Sequence, residues 1–380
     1  MTVIKKKIFF IYGNTPNPSL IERALTAENS GEYESYIVFW SRKNSDISIP
    51  FSKILPLDRF IDISLGDPRG NIFRRIILSL LFSIKLRAKI RNIMPDIIYP
   101  VNSDMLGLSM LSNYLLKPVK IVYDFQDQKG EKLNFLYKYL YRISARKVST
   151  VFVRSLGFID HIQKNNLFSD EVPIKYFAEA PLGWDSWGKK FPNNFEEKLI
   201  VGYFGNIRGT KQIKSLLMAT QMINKEGKNV QLNFAGVGSE VNLVTKAVGE
   251  FNYVNYSGPF DYFKDYKEMF LSADIIYAAY PTNLSNYKFH EARRFHESIA
   301  AGIPIIVSEG TYMANRVIDL NVGWTIDSKG SSESVQEIYK IFSDSIKHPT
   351  FLKNKKVKSD LRKHHLMEFY IESFLNSFSD

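Results

Sequence analysis

The chain has 380 residues, 45% hydrophobic and 23% charged, with a formal net charge of +11. That composition excludes a disordered or coiled-coil protein, and the length suits two domains of ordinary size. Cysteine is absent, which excludes disulfides, thiolate metal sites and a cysteine nucleophile.

The charged start, Met1–Lys7, runs straight into a strand-like stretch and does not read as a secretory signal. No apolar run reaches the ~18 residues of a membrane span, so a cytoplasmic chain is expected. The run Ile8–Gly13 reads as a buried strand, followed by a polar turn and a helix over Leu20–Ala27. Further strands are expected at Tyr33–Trp40, Pro95–Val101, Val119–Phe125 and Ser149–Ser155. Strands that alternate with helical patterns imply a parallel sheet of βαβ units, and their near-continuous apolar character fits burial on both faces. Gly183–Glu197 breaks the rhythm with Trp184, Trp187, Gly188 and Pro192. The rhythm restarts at Lys198–Gly205 and continues through Val230–Gly236, Ala273–Tyr280 and Ile303–Ser308. The fold class is therefore α/β, with two doubly wound parallel-sheet, Rossmann-like domains. The expected division is 1–184, a linker 185–197, a second domain 198–359, and a helix over 360–380 that returns toward the first domain.

Three patterns in the second half suit phosphate chemistry. In VGYFGNIRGTKQIK a strand ends at Gly205, and a helix starts near Thr210, which is expected to cap it. A helix start after a parallel strand offers free N–H groups and a positive dipole end, and Arg208 and Lys211 add charge there. A plain strand–turn–helix with solvated cations accounts for the same pattern. In KFHEARRFHESIAAGIPIIVS a helix over Ala292–Ala301 ends at Gly302. Its Glu297 can accept hydrogen bonds from two neighbouring hydroxyls, as a ribose presents them, or can pair with Arg293 or Arg294 at helical spacing. Arg293 and Arg294 sit in the first turn, where the dipole disfavours cations, and an anionic ligand would explain them. The third pattern, Phe234–Glu240, carries Gly236 and Gly238 in a βα turn.

Taken in order, these pieces resemble the C-terminal half of retaining glycosyltransferases of family 4, with the GT-B fold, over about Lys198–Asp327. The type is that of bacterial surface-polysaccharide enzymes. The resemblance implies two domains facing across a cleft, the first binding acceptor and the second a nucleotide-sugar. The family's diphosphate-binding loop matches at Gly205 and Lys211. Its arginine position holds Asn206, with Arg208 to supply the charge. The second of the family's two helical glutamates, the ribose ligand, matches Glu297. The first would fall at Phe289, with Glu291 close by. Arg294 matches a basic position seen in some members, and Ala292 the small residue at the helix start. In the first half, Asp127 matches a catalytic or sugar-contacting position better than Asp124, and Gly13 lies in the turn that would face the donor. The catalytic set so implied is Asp127, Lys211 and Arg208. The donor set is Gly13, Gly205, Asn206, Gly236, Glu291, Ala292, Arg294 and Glu297.

The stretch Asn71–Ile93 places Phe73, Ile76, Ile77, Leu80, Ile84 and Ala88 on one helical face, with Arg74, Arg75, Lys85 and Lys89 on another side. The apolar stripe is expected to cover the sheet. The cations favour contact of residues 70–91 with an anionic membrane surface, on the inner face of the cell membrane.

The expected activity is a retaining, hexosyltransferase-type transfer from a nucleotide-sugar, UDP- before GDP-, to a glycan or lipid-linked acceptor. No cofactor, metal or nucleic-acid partner is expected. The alternatives are a non-catalytic glycosyltransferase-like subunit and a sugar-nucleotide epimerase of the same fold.

Overall fold

The computed structural model describes residues 4–41, 55–67, 71–127, 142–184, 198–283, 285–348 and 359–379. The chain forms two units, one of Met1–Ala178 with Tyr370–Asp380 and one of Glu179–Phe369. The expected linker, 185–197, lies outside the described residues.

The first unit is built on seven strands: β1 (Lys6–Tyr12), β2 (Tyr33–Phe39), β3 (Phe60–Asp62), β4 (Ile97–Pro100), β5 (Lys120–Phe125), β6 (Thr150–Val153) and β7 (Ile174–Tyr176). They lie in the order β3-β2-β1-β4-β5-β6-β7, every neighbouring pair parallel. The central strands are apolar throughout because helices cover both faces: β4 and β6 are buried over their whole length. The helix Pro18–Asn29 starts where Asn17 accepts a hydrogen bond from the Leu20 N–H at 2.9 Å. Phe374 and Phe378, from the last residues of the chain, pack on Tyr99, and Phe374 also stacks on Phe177 at 4.9 Å.

The second unit has six strands: β8 (Leu199–Asn206), β9 (Val230–Val237), β10 (Val254–Tyr256), β11 (Ile275–Ala278), β12 (Ile305–Ser308) and β13 (Gly323–Ile326). Their order is β10-β9-β8-β11-β12-β13, again all parallel. Both sheets thus follow doubly wound order. The order reverses between β1 and β4 in one unit and between β8 and β11 in the other, and ligands of such sheets bind at the carboxyl ends of strands beside that switch point.

Three expectations are corrected. The helix Thr210–Lys225 is capped by Gly209, at φ 91°, with no side-chain hydrogen bond, and Thr210 is its first residue. The Thr210 hydroxyl instead donates to Glu240 at 2.9 Å. The segment expected as one helix over 360–380 is three short pieces, Ser359–Lys363, Met367–Tyr370 and Ile371–Leu375, because it belongs to both units and turns as it passes from one to the other. The helix Ile72–Ile93 meets the core through Phe82, Leu86 and Ile90, whereas Phe73, Ile76, Ile77, Leu80 and Ile84 face outward, 49–72% exposed. The stripe expected on the sheet is on the outside. The residues that do pack recur at i, i+4 and i+8 and form a second, narrower face.

Candidate functional site

The carboxyl end of β8 carries Gly205 and Asn206. Gly205 has φ 105°, and a Cβ there would lie 3.1 Å from Nη2 of Arg294. Glycine is required both by the backbone angle and by the guanidinium beneath it. The loop that follows is pinned by one phenol. The Tyr203 hydroxyl accepts from the Arg208 N–H at 3.2 Å and donates to the Arg208 carbonyl at 3.0 Å. The Gly236 and Gly238 positions of β9 and its turn lie against this loop. A Cβ on Gly236 would come within 1.9 Å of the Gly205 carbonyl oxygen, and one on Gly238 within 2.0 Å of that of Ile207.

Arg294 enters from the first turn of the helix Arg293–Ala301 and is only 7% exposed. Its guanidinium lies between two rings, 4.9 Å from the centroid of Tyr203 and 5.5 Å from that of Tyr280. Tyr280 stacks on Tyr287 at 5.6 Å, and the Arg208 guanidinium lies over the far ring and donates to its hydroxyl. Two cations and three tyrosines therefore form a ladder, in which ring faces offset the cost of burying positive charge. Burial alone would lower the Arg294 pKa, but Tyr280, Tyr203 and Tyr266 outweigh it and hold the pKa above its ordinary value. Burial pushes the Tyr280 phenol up to about 12, so it stays neutral. Arg294 Nη2 donates to the Asn206 carbonyl at 3.3 Å, while its buried Nη1 has no hydrogen-bond partner among the described residues. Nε of Arg208 is in the same condition.

Glu297 lies one turn further along and is 1% exposed. Its Oε1 accepts from the Tyr262 hydroxyl at 2.9 Å and from Nε of Arg293 at 2.9 Å, and its Oε2 from the Tyr266 hydroxyl at 2.7 Å. Arg293 also lies 4.5 Å from the Tyr262 ring centroid. Burial, with the Glu297 charge beside it, raises the Tyr266 pKa well above its usual value. Glu297 thus pairs with Arg293 at helical spacing and is at once the acceptor for two phenols.

The remaining second-unit candidates spread outward. Ala292 is the N-cap of the Arg293–Ala301 helix and makes no side-chain cap bond, so the first-turn amides meet no capping side chain. Glu291 is fully buried and accepts from Nε of Arg316 at 3.3 Å. Lys211 is exposed in the first turn of the helix Thr210–Lys225, its stem over Gly330. The tyrosines at 203, 262, 266, 280 and 287 were not singled out from sequence. The available signal was a tyrosine within β8, Tyr203, and one just past the end of β11, Tyr280, on the two strands that flank the switch point.

Gly13 and Asp127 belong to the first unit. Gly13 follows β1, with the Met105 methyl 3.2 Å from where its Cβ would be. Asp127 follows β5. Its N–H donates to Oδ1 of Asn102 at 2.9 Å, and its Oδ1 accepts from Nη2 of Arg154 at 2.7 Å. Asn102 makes this bond from a left-handed backbone, φ 67°. Asp124 is fully buried against Arg23 and Gln126 and serves the core.

The architecture is shared with solved structures. An Anabaena protein, HepE, solved with UDP-glucose, superposes with a TM-score of 0.71 at 13% identity, covering 98% of this chain and 99% of that one. A sucrose-phosphate synthase from Thermosynechococcus elongatus gives 0.70 at 13%, covering 98% of each chain. A UDP-N-acetylglucosamine 2-epimerase gives 0.64 at 14%, covering 99% and 97%. The fold is that of the GT-B class, two parallel-sheet α/β domains of seven and six strands. No curated protein matches the chain. Residues 185–358, which include the whole arginine–tyrosine ladder from β8 onward, match the family described as glycosyl transferases group 1.

Proposed function

We propose that the chain is a glycosyltransferase that takes its sugar from a nucleotide-activated donor. One observation carries the reading: a buried arginine, Arg294, with an Nη atom lacking a partner, set beside Gly205 and Asn206 at the switch point of a sheet that matches the group 1 family. A diphosphate suits that place chemically. Arg294, Arg208 and Lys211 supply positive charge, and two helix starts without side-chain caps supply amides. Glu297 already takes three donors, two on Oε1 and one on Oε2, and a carboxylate offers about four lone-pair positions, which leaves one on Oε2, beside the Tyr266 phenol, for a ribose hydroxyl.

In the reaction the bond from the sugar's anomeric carbon to the diphosphate oxygen breaks, and the electron pair stays with the phosphate. The acceptor hydroxyl oxygen forms the new bond and its proton leaves with the diphosphate. The cations stabilise the charge that develops on the leaving group. Attack from the face the diphosphate occupies retains the anomeric configuration. UDP is the proposed donor nucleotide, as in the HepE complex, and the acceptor class is a glycan or lipid-linked saccharide of surface-polysaccharide synthesis. Asp127 is the first unit's candidate for sugar contact.

The test is thermal unfolding with UDP-, GDP-, ADP- and TDP-sugars. A ligand at a hundredfold excess over its Kd adds about 2.7 kcal/mol to the folded state, a readily measured rise in Tm. Wild type should respond to a UDP-sugar, and Arg294→Met should not. No response to any of the four rejects the reading. An epimerase is the second reading, since a solved epimerase shares the fold. Release of nucleotide from the donor in the absence of any acceptor would select it.

A further inference from the structure

The two oxygens of Glu297 are not equally used. Oε1 takes the Tyr262 hydroxyl at 2.9 Å and Nε of Arg293 at 2.9 Å, which fills both of its lone pairs. Oε2 takes only the Tyr266 hydroxyl, at 2.7 Å. With the residue 1% exposed, the second lone pair of Oε2 is the one place left on this carboxylate for a ligand hydroxyl. Tyr262 has no proton to offer a ligand in its stead. Its single O–H is given to Oε1, and its oxygen accepts from Nε of Arg293 at 3.1 Å and from Nη2 of the same guanidinium.

The Tyr262 phenol is held where it is from several sides. Its ring packs against the Arg293 guanidinium, 4.5 Å from the ring centroid, and stacks on Tyr266 at 4.7 Å. Tyr266 is itself stacked on Phe260 at 5.0 Å. A ribose hydroxyl that took the phenol's place on Oε1 would make one hydrogen bond to the carboxylate and break one of the same kind. It would also break the bonds from Arg293 to the phenol oxygen, so the exchange is unfavourable. A ribose presents two adjacent hydroxyls, which suit the two oxygens of a free carboxylate, one to each. Here only one oxygen is open. On the nucleotide-donor reading above, we propose that Tyr262 determines pentose specificity. By keeping Oε1 filled it limits recognition to one hydroxyl, so the site accepts nucleoside diphosphates that lack the other, monodeoxyribonucleotides as well as ribonucleotides.

The probes are UDP, 2′-deoxy-UDP and 3′-deoxy-UDP, titrated into the full chain by calorimetry. Wild type should bind one deoxy compound about tenfold more weakly than UDP, the loss of one hydrogen bond to a charged group, and the other within about twofold of UDP. Tyr262→Phe keeps the ring packing and removes the O–H, which opens a lone pair of Oε1 to the second hydroxyl. In that variant the deoxy compound that wild type tolerates should bind about tenfold more weakly than UDP. A tyrosine that only supported the fold would change all three affinities alike. Tenfold losses in wild type for both deoxy compounds, or for neither, would overturn the assignment. So would a Tyr262→Phe chain that tolerates the same compound as wild type. Absence of UDP binding in wild type would instead reject the UDP-donor reading on which the assignment rests.

Discussion

Arg294 owes its place to planarity. A guanidinium can lie flat between Tyr203 and Tyr280 and still direct an N–H outward along its edge, whereas an ammonium cannot. Arg294→Lys keeps the charge and loses the stack. It should lower kcat by roughly 10²-fold, the scale for one donor to a developing negative charge, with the donor's Tm response reduced. Steady-state kinetics against the wild type checks this. Lys211→Ala is the opposite case, since Lys211 is exposed. Its unfolding free energy should stay within the ±0.5 kcal/mol expected of a surface change, while turnover falls. Unchanged turnover would remove Lys211 from the site. Glu297 could be placed on a helix from sequence, because Gly302 ends that helix, and its ribose role is only what the resemblance implies. Its two phenol donors could not, because Tyr262 and Tyr266 come from 35 and 31 residues upstream with no periodicity to link them. The same holds for Tyr287 and Arg208. Contacts across a sheet edge leave no mark on local spacing.

At the scale of elements, the ends of β8 and β9 are fitted backbone to backbone. The Gly236 N–H donates to the Gly258 carbonyl at 2.7 Å while its Cα lies under Gly205, so neither strand can shift. Gly236→Ala should cost more than ~3 kcal/mol in chemical denaturation, since the clash is with a carbonyl oxygen that cannot swing away. Gly310→Ala, at φ 73° in open space, should cost only the left-handed backbone term of about 1–2 kcal/mol. The contrast separates packing from backbone angle. The central strands were legible as apolar runs because helices bury both of their faces. The edge strands β3, β7, β10 and β13 were not, because three or four half-buried residues give neither a continuous apolar run nor a clean alternation. The Ile72–Ile93 helix misled for a related reason. Its stronger apolar stripe was assigned to the sheet, and its weaker one does the packing.

At the scale of the whole molecule, the chain leaves the first unit after Ala178 and returns to it at Tyr370. The outgoing and returning segments meet inside the second unit, where the Met367 N–H donates to the Pro181 carbonyl at 3.0 Å and the Gly183 N–H to Glu368 at 2.7 Å. The returning segment is also fixed by a buried histidine pair, Nδ1 of His296 to Nδ1 of His365 at 2.9 Å. Burial lowers His365 to about 3, with Arg316 and His364 adding to the effect. Burial, then His365, Arg316, Arg293 and His290, hold His296 well below its usual value. Unfolded histidine titrates near 6.5, so between that value and about 3 the unfolded chain binds protons the folded chain refuses. The stabilising contribution is therefore complete above neutral pH and is lost as pH falls through that window, at up to ~1.4 kcal/mol per pH unit for each ring. Calorimetry at pH 7.5 and pH 5 should show a smaller drop in Tm for His365→Gln than for wild type. Equal drops would clear the pair of responsibility.

The rings of Phe374 and Phe378, set against Tyr99, have a consequence for biosynthesis. They follow every strand of the second unit in the chain, yet they complete the interior of the first. During translation the middle of the chain holds all six of its own strands before the opening segment has its closing aromatics. A product terminated shortly before residue 370 would carry an intact second sheet joined to a first one open at Tyr99 and Phe152, a surface of the kind chaperones and proteases engage.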